Sequence, residues 1–389
     1  MMTFAFPVGY HTLNSTKIID YQLNRWYSLG YARLEDVQEA GRKIRSFDDW
    51  KEVMTALAET AEAEGRWINA AFYYRAAEFF VLPSDPDKEL LYDRFSDAFY
   101  NHAFAAEPFG RHRVPYEGAY LPALRLPAQQ GSARGTIVIH GGFDSFIEEW
   151  HSCATFFAAR GYNVVLFEGP GQGAALKKAG LALTHEWEKP VKAVLDYFVL
   201  DDVTLLGISM GGWMCFRAAA FEPRIRRVIA SSIAYDYMQF LPEPARVIIM
   251  YLFRFRGLMD RIAAMKMNAS FQERWGINNL MYITKTKTPM DATDVLLRFN
   301  AENQHPERVL QDVLILTGAE DHFIPLKMHD RQVRALGNAR SVTARIFMRE
   351  EQAQNHCQIG NLGLALDVML EWIQKTGSAE RKTTPKGQN

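Results

Sequence analysis

Cysteine is scarce in this sequence. Cys153, Cys215 and Cys357 are the only three in 389 residues, an odd number with neither the paired spacing of a disulfide framework nor that of a zinc site. A reducing compartment suits that usage, so a cytoplasmic location is expected. Net charge is nearly absent too: 44 lysines and arginines stand against 45 aspartates and glutamates. Such a chain has no long-range field with which to gather a polyanion, and nucleic acid drops out as an expected partner. Long apolar runs are missing as well. The most apolar stretch, Val247 to Phe253, is far shorter than the ~20 residues of a membrane span, and Arg254 and Arg256 follow at once. The opening MMTFAFPVGYHTLNSTKIIDY lacks the basic start, apolar run and cleavage site of a secretory signal, so neither export by that route nor membrane association is expected. No motif calls for a metal or an organic cofactor.

What remains is an ordinary globular composition, 48% hydrophobic and 23% charged, enough to build a large core without crosslinks. From about Leu34 to Asn101, apolar residues and alanines recur at three- and four-residue spacing, interrupted by the turn-forming PSDPDKE at Pro83 to Glu89. That pattern predicts an N-terminal helical domain over residues 1–109. After Gly110 the pattern changes to short β-branched runs, TIVIH, NVVLFE, VTLLGIS, RVIASSI, VLILTG and TARIFM, which alternate with helical stretches. Runs apolar on both faces predict a doubly wound, mostly parallel α/β sheet over residues 110–375. Between Ile233 and Gln311 no strand is evident, only aromatic and methionine-rich helical sequence. A helical lid at about 236–306 is expected there. The polar stretch 376–389 is expected to be a disordered tail.

The strongest chemical signal is Gly207-Ile-Ser-Met-Gly211, placed after the strand VTLL and before the helical GWMCFRAAAF. On such a sharp strand-to-helix turn Ser209 would lift its hydroxyl above the sheet, and the small flanking residues let the backbones approach. The helix start aims amides at the place where an oxyanion forms, with Met210 as one donor. A second donor is expected from His140-Gly-Gly-Phe-Asp-Ser145, at Phe143 or Gly142; His140 itself is read as a loop support. A serine hydroxyl needs a base within reach and a group to orient that base. His356, in QNHCQIG, lies in the loop after TARIFM and before a helix. His322 and His329 compete with it less well, one beside the acid and one in helical sequence. The acid comes from LILTGAEDHFIP, where Glu320 and Asp321 both follow the strand. FEGPGQG at Phe167 to Gly173 lacks the Lys-Ser/Thr ending of a phosphate loop and is read as a tight structural turn near the site. Tyr235, Asp236 and Tyr237, just after RVIASSI, are candidate substrate contacts.

HGGFDS, FEGPGQG, GISMGG, GAEDHFIP and NHC, in that order behind a helical domain, resemble one branch of the α/β-hydrolase superfamily. It includes 2,6-dihydroxypseudooxynicotine hydrolase, fungal hydrolases that shorten a naphthopyrone in melanin synthesis, and esterase-like relatives of the fermentation-respiration switch protein. The resemblance implies an α/β-hydrolase fold and a catalytic triad of Ser209, His356 and Asp321, the acid in that branch standing shortly before an Ile-Pro or Val-Pro pair. It also implies hydrolysis of a small aromatic or acyl compound, by carbon–carbon cleavage beside a ketone in some members and ester cleavage in others. An acyltransferase or lyase on the same scaffold, and a non-catalytic ligand-binding relative, are the competing classes. The helical domain could cover the pocket or pair two subunits into a homodimer.

Overall fold

A computed structural model describes residues 2–129 and 131–383. Five helices come first: α1 (Lys17–Ser28), α2 (Leu34–Lys43), α3 (Phe47–Ala63), α4 (Trp67–Phe79) and α5 (Asp87–Asp97), followed by a short π-helical turn at Ala98–Ala103. Helix α3 starts where Ser46 accepts from the Asp49 amide and Asp49 answers to the Ser46 amide, a capping box. It buries Trp50, Met54, Ala58 and Ala61 along one face. Helix α4 is buried nearly all round, and its alanines at 70, 71, 76 and 77 let the neighbouring helices close on it.

The sheet has eight strands: β1 (Gly110–Tyr116), β2 (Ala119–Leu126), β3 (Thr136–His140), β4 (Asn163–Phe167), β5 (Val203–Ile208), β6 (Ile225–Ser231), β7 (Asp312–Gly318) and β8 (Ser341–Phe347). Their spatial order is β1-β2-β4-β3-β5-β6-β7-β8, with β1 and β2 antiparallel and the other six mutually parallel. Helices make the crossovers: α6 (His151–Ala158) before β4, α7 (Gly173–Lys177) and α8 (Glu188–Tyr197) before β5, and α9 (Met210–Ala219) before β6. Between β6 and β7 run α10 (Glu243–Leu252), α11 (Arg256–Ala269), α12 (Phe271–Thr284), α13 (Pro289–Leu296) and α14 (Ala301–Gln304). Helix α15 (Lys327–Ala335) precedes β8, and α16 (Leu362–Thr383) closes the chain.

Every residue of β5 and β7 is buried, as central strands covered on both faces require. Their side chains alternate between two cores. Leu206, Ile208, Leu314 and Leu316 join a cluster that includes the N-terminal helices, α6 and α16, whereas Val203, Leu205, Val313 and Ile315 join one built on α8 and α9. The N-terminal helices therefore share a continuous core with one face of the sheet. Helix α12 also reaches them: Trp275 Nε1 donates to the Phe79 carbonyl at 2.8 Å and its ring packs on Phe79 and Phe80.

Two elements escaped the sequence pattern. Helix α1 precedes the periodic region that begins at Leu34 because its buried face is partly polar. Asp20 accepts from the amides of Leu13 and Asn14, and Asn24 exchanges hydrogen bonds with the backbone of His11. The β1–β2 hairpin turns through Glu117 and Gly118, both at positive φ (46° and 76°), a two-residue turn whose twist suits paired strands. At the other end, α16 carries on through 376–383, which the sequence reading assigns to a disordered tail; residues 384–389 lie outside those described. Among the described residues no helix is long and apolar enough to cross a membrane.

Candidate active site

Ser209 stands between the last residue of β5 and the first of α9, at φ 62° and ψ −124°. A non-glycine residue in this left-handed region is strained, and such strain concentrates at functional turns. The elbow is tight enough to dictate its neighbours. A Cβ at Gly207 would lie 2.0 Å from the Gly211 carbonyl oxygen, and one at Gly211 would lie 2.6 Å from that of Gly141. Two backbone bonds fix the serine: its amide donates to Ser231 O and its carbonyl accepts from Gly212 N, each at 2.8 Å.

His356 and Asp321 arrive from the loops after β8 and β7. Asp321 Oδ1 accepts from the amides of Phe323 (2.9 Å) and Ile324 (3.0 Å), which fixes the carboxylate and leaves Oδ2 for His356 Nδ1 at 2.6 Å. Because a carboxylate can only accept, Nδ1 carries the proton and Nε2 presents its lone pair. Ser209 Oγ lies 2.8 Å from Nε2, to which it donates when the ring is neutral. The imidazole and carboxylate side chains are 7% and 1% exposed, so water screens their interaction weakly. Burial is the largest single influence and pushes the His356 pKa down, but the Asp321 charge, the neighbouring Cys357 and the hydrogen bond to Asp321 together outweigh it and hold the pKa above the ordinary histidine value. Burial likewise opposes ionisation of Asp321, and His356 together with the two loop amides holds its carboxyl below the usual range. Tyr21 of α1 supports the loop from above, its hydroxyl donating to the His356 carbonyl at 3.3 Å.

The competing candidates are engaged differently, although His322 is a neighbour of the His356–Asp321 pair. Glu320 is on the surface, paired with Arg349. His322 stacks edge-on against Tyr21, and His329 Nδ1 lies 2.8 Å from Thr317 Oγ1. His140 is fully buried beside Phe167 and Trp187, which drives its pKa down to about 4.

The amide of Met210 opens α9 and has no partner within the helix. The loop carrying Gly142 and Phe143 presses against it: a Cβ at Gly142 would lie 2.6 Å from Met210 N and 2.9 Å from Gly211 N. Only glycine permits that approach.

Of the three residues after β6, Asp236 is the one whose carboxylate the fold itself engages. Its carboxylate accepts from Met238 N (2.9 Å), Gln239 Nε2 (3.0 Å) and Ala301 N (3.3 Å), capping a short turn and tying the beginning of the inserted segment to its end. Those bonds make it a structural cap, whatever else it touches. Tyr237 packs on Phe240; burial first, and then the Asp321 charge, raise its phenol pKa, which places it near the acid. Tyr235 is half-buried, with Arg331 and Glu307 in its surroundings.

A group invisible in the sequence joins the N-terminal helices to this site. Arg75 of α4 donates through Nε to Glu149 (2.7 Å), through a second nitrogen to Glu78, and through a third to the carbonyl of Asp144 (2.8 Å). Arg25 of α1 takes the other oxygen of Glu149 at 2.5 Å, and Glu78 also pairs with Lys88 (2.8 Å) and Lys177 (3.1 Å). The partners of Arg75 are completely buried. Only the spatial meeting of helices with the loop after β3 reveals the set, since Arg75 and Asp144 are 69 positions apart. Among the described residues no cluster of three or more histidines, cysteines and acids could hold a metal ion.

A family profile described as "Alpha/beta hydrolase family" matches residues 136–349. Among curated proteins, hydrolase LUC6 of Fusarium sp is 28% identical over 94% of this chain and 91% of its own length. The 20-hydroxy-prefusarin hydrolase FUS2 of Gibberella moniliformis is 30% identical over 72% and 73%. Among solved structures, that of 2,6-dihydroxy-pseudo-oxynicotine hydrolase superposes over 94% of this chain and 98% of its own with a TM-score of 0.67 at 20% identity, a likeness of fold. With its parallel sheet, its strained serine elbow and these matches, the chain belongs to the α/β-hydrolase family and is an enzyme of that family.

Proposed function

We propose that the chain is a serine hydrolase that cleaves a small aromatic or polyketide-like carbonyl compound, at a ketone carbon–carbon bond or an ester, through an acyl-enzyme on Ser209. The observation that carries this reading is the unbroken relay from Ser209 Oγ through His356 to Asp321, each link at hydrogen-bond distance. His356 Nε2 accepts the serine proton as Oγ attacks the carbonyl carbon, and Asp321 steadies the imidazolium that results. The amides of Met210 and Phe143 stabilise the oxyanion. His356 then returns the proton to the leaving group, an alkoxide in an ester or a stabilised carbanion in a ketone, and activates water to release the acid. Relatives named as hydrolases support the small-molecule reading, and the similar structure named for a pseudo-oxynicotine supports an aromatic ketone.

Matched panels of aryl esters and acyl phenols, turned over by wild type and by Ser209→Ala, test the reading. Turnover of one panel by wild type, abolished in the variant, is expected. Undiminished turnover by Ser209→Ala would overturn it.

A further inference from the structure

The FEGPGQG turn has no part in the reaction just described, yet its glutamine is buried to 2% exposure and aimed at the oxyanion loop. Gln172 Oε1 accepts from the Gly169 amide at 2.9 Å, while Nε2 donates to the carbonyls of Gly141 and Gly142, both at 2.9 Å. One N–H donor and two carbonyl acceptors leave only one way to orient the side-chain amide. The Gly142 carbonyl belongs to the same peptide unit as the Phe143 N–H. In a trans peptide the two point in opposite directions, so holding the carbonyl fixes where the N–H is aimed. Beyond Phe143 the loop passes through Asp144 at φ 51°, whose carbonyl Arg75 holds.

We propose, resting on the serine-hydrolase reading, that Gln172 is a positioning residue that sets the orientation of the Phe143 peptide in the oxyanion hole, with Arg75 of the N-terminal helices anchoring the far side of the same loop. Gln172 itself never meets the substrate. Its effect falls on the transition state, since only there does the carbonyl oxygen carry the charge that the amide must meet. The N-terminal helices accordingly contribute to catalysis through Arg75 in addition to covering the sheet.

The test compares wild type, Gln172→Met, Gln172→Glu, Arg75→Lys and, as a destabilised control, Leu195→Ala in the buried face of α8. Gln172→Glu is nearly isosteric and keeps the acceptor toward Gly169 while removing both donations as a carboxylate and at least one as the neutral acid; Arg75→Lys keeps charge but cannot reach three acceptors from one nitrogen. Hydrolysis of p-nitrophenyl acetate, inhibition by an aryl trifluoromethyl ketone, labelling by a fluorophosphonate and Tm are measured for each. Both Gln172 variants are expected to lose about tenfold to a hundredfold in kcat with little change in KM, and to bind the trifluoromethyl ketone more weakly by a similar factor. Arg75→Lys should show the same signature more mildly, and Leu195→Ala should lower Tm while keeping kcat. Should Gln172→Met fail to fold, the near-isosteric variant and Arg75→Lys still decide the matter. Retention of wild-type kcat and inhibitor affinity by folded Gln172 variants whose Ser209 still labels would overturn the positioning role. Absence of Ser209 labelling in wild type would instead overturn the serine-hydrolase reading beneath it.

Discussion

Replacing Asp321 by asparagine exposes the logic of the site, because the structure dictates how the new amide would sit. Asp321 Oδ1 accepts two backbone N–H groups, from Phe323 and Ile324. The single oxygen of the amide is drawn to those donors, which turns its NH2 toward His356 Nδ1. A donor facing Nδ1 favours the tautomer protonated at Nε2, and that tautomer cannot take the Ser209 proton. A loss of roughly 10⁴-fold in kcat follows. The pH profile should change as well. His356 works only when neutral, and the Asp321 charge raises its pKa, so the acid limb of kcat/KM in wild type lies above the ordinary value of about 6.5. Without the charge, burial, the largest influence, is opposed by Cys357 only, moving the limb down by about 1–3 pH units. Rates on p-nitrophenyl acetate across the pH range, together with an NMR titration of His356 in a Ser209→Ala background, measure both effects. Glu320→Gln, on the exposed neighbour, should leave rate and limb unchanged. Activity of Asp321→Asn within about tenfold of wild type, or an acid limb that does not move, would refute the assignment.

Gly142→Ala places a Cβ 2.6 Å from Met210 N, forcing the oxyanion loop off the elbow; kcat should fall by about 10² or more, read in the same ester assay. Arg75→Met leaves the completely buried carboxylates of Glu78 and Glu149 without their shared cation. Because Arg25 still pairs with Glu149, and Lys88 and Lys177 with Glu78, neither charge is stranded, and a loss of about 1.5–3 kcal/mol in urea-unfolding free energy is expected, the range for a lost hydrogen bond to a charged group. Tyr21→Phe removes the 3.3 Å hydrogen bond to the His356 carbonyl and should cost about 1 kcal/mol in the same measurement, with kcat little changed.

Much of this molecule is legible in its sequence wherever local pattern and function coincide. The fully apolar runs that become β5 and β7 are buried on both faces, and GISMG sits between strand and helix because the elbow needs small residues at 207 and 211. Ser209, Asp321 and His356 could be named because each follows a strand. The choice of Asp321 over Glu320 needed the family resemblance; in the structure the two acids diverge, one into the site and one to Arg349 on the surface. Illegible features are those whose partners lie far along the chain. Helix α1 hides its role because polar residues on its buried face satisfy the preceding backbone. The β1–β2 hairpin has a short-range signal, Glu117-Gly118 between alternating residues. The structural part of Asp236 is equally hidden, since its oxygens cap the turn and reach Ala301, 65 positions on. Gln172 lies in FEGPGQG, whose letters do not show what it holds, and Arg75 carries no motif; each becomes meaningful only when the carbonyls they hold are seen to flank Phe143.

Trapping the reaction partway tests the central claim most directly. Rapid acid quench of enzyme and an activated aryl ester, followed by peptide mass spectrometry, should find the acyl group on the peptide containing Ser209, formed and released at rates compatible with turnover. Turnover with no acyl group on Ser209, or with one carried by another residue, would contradict the account.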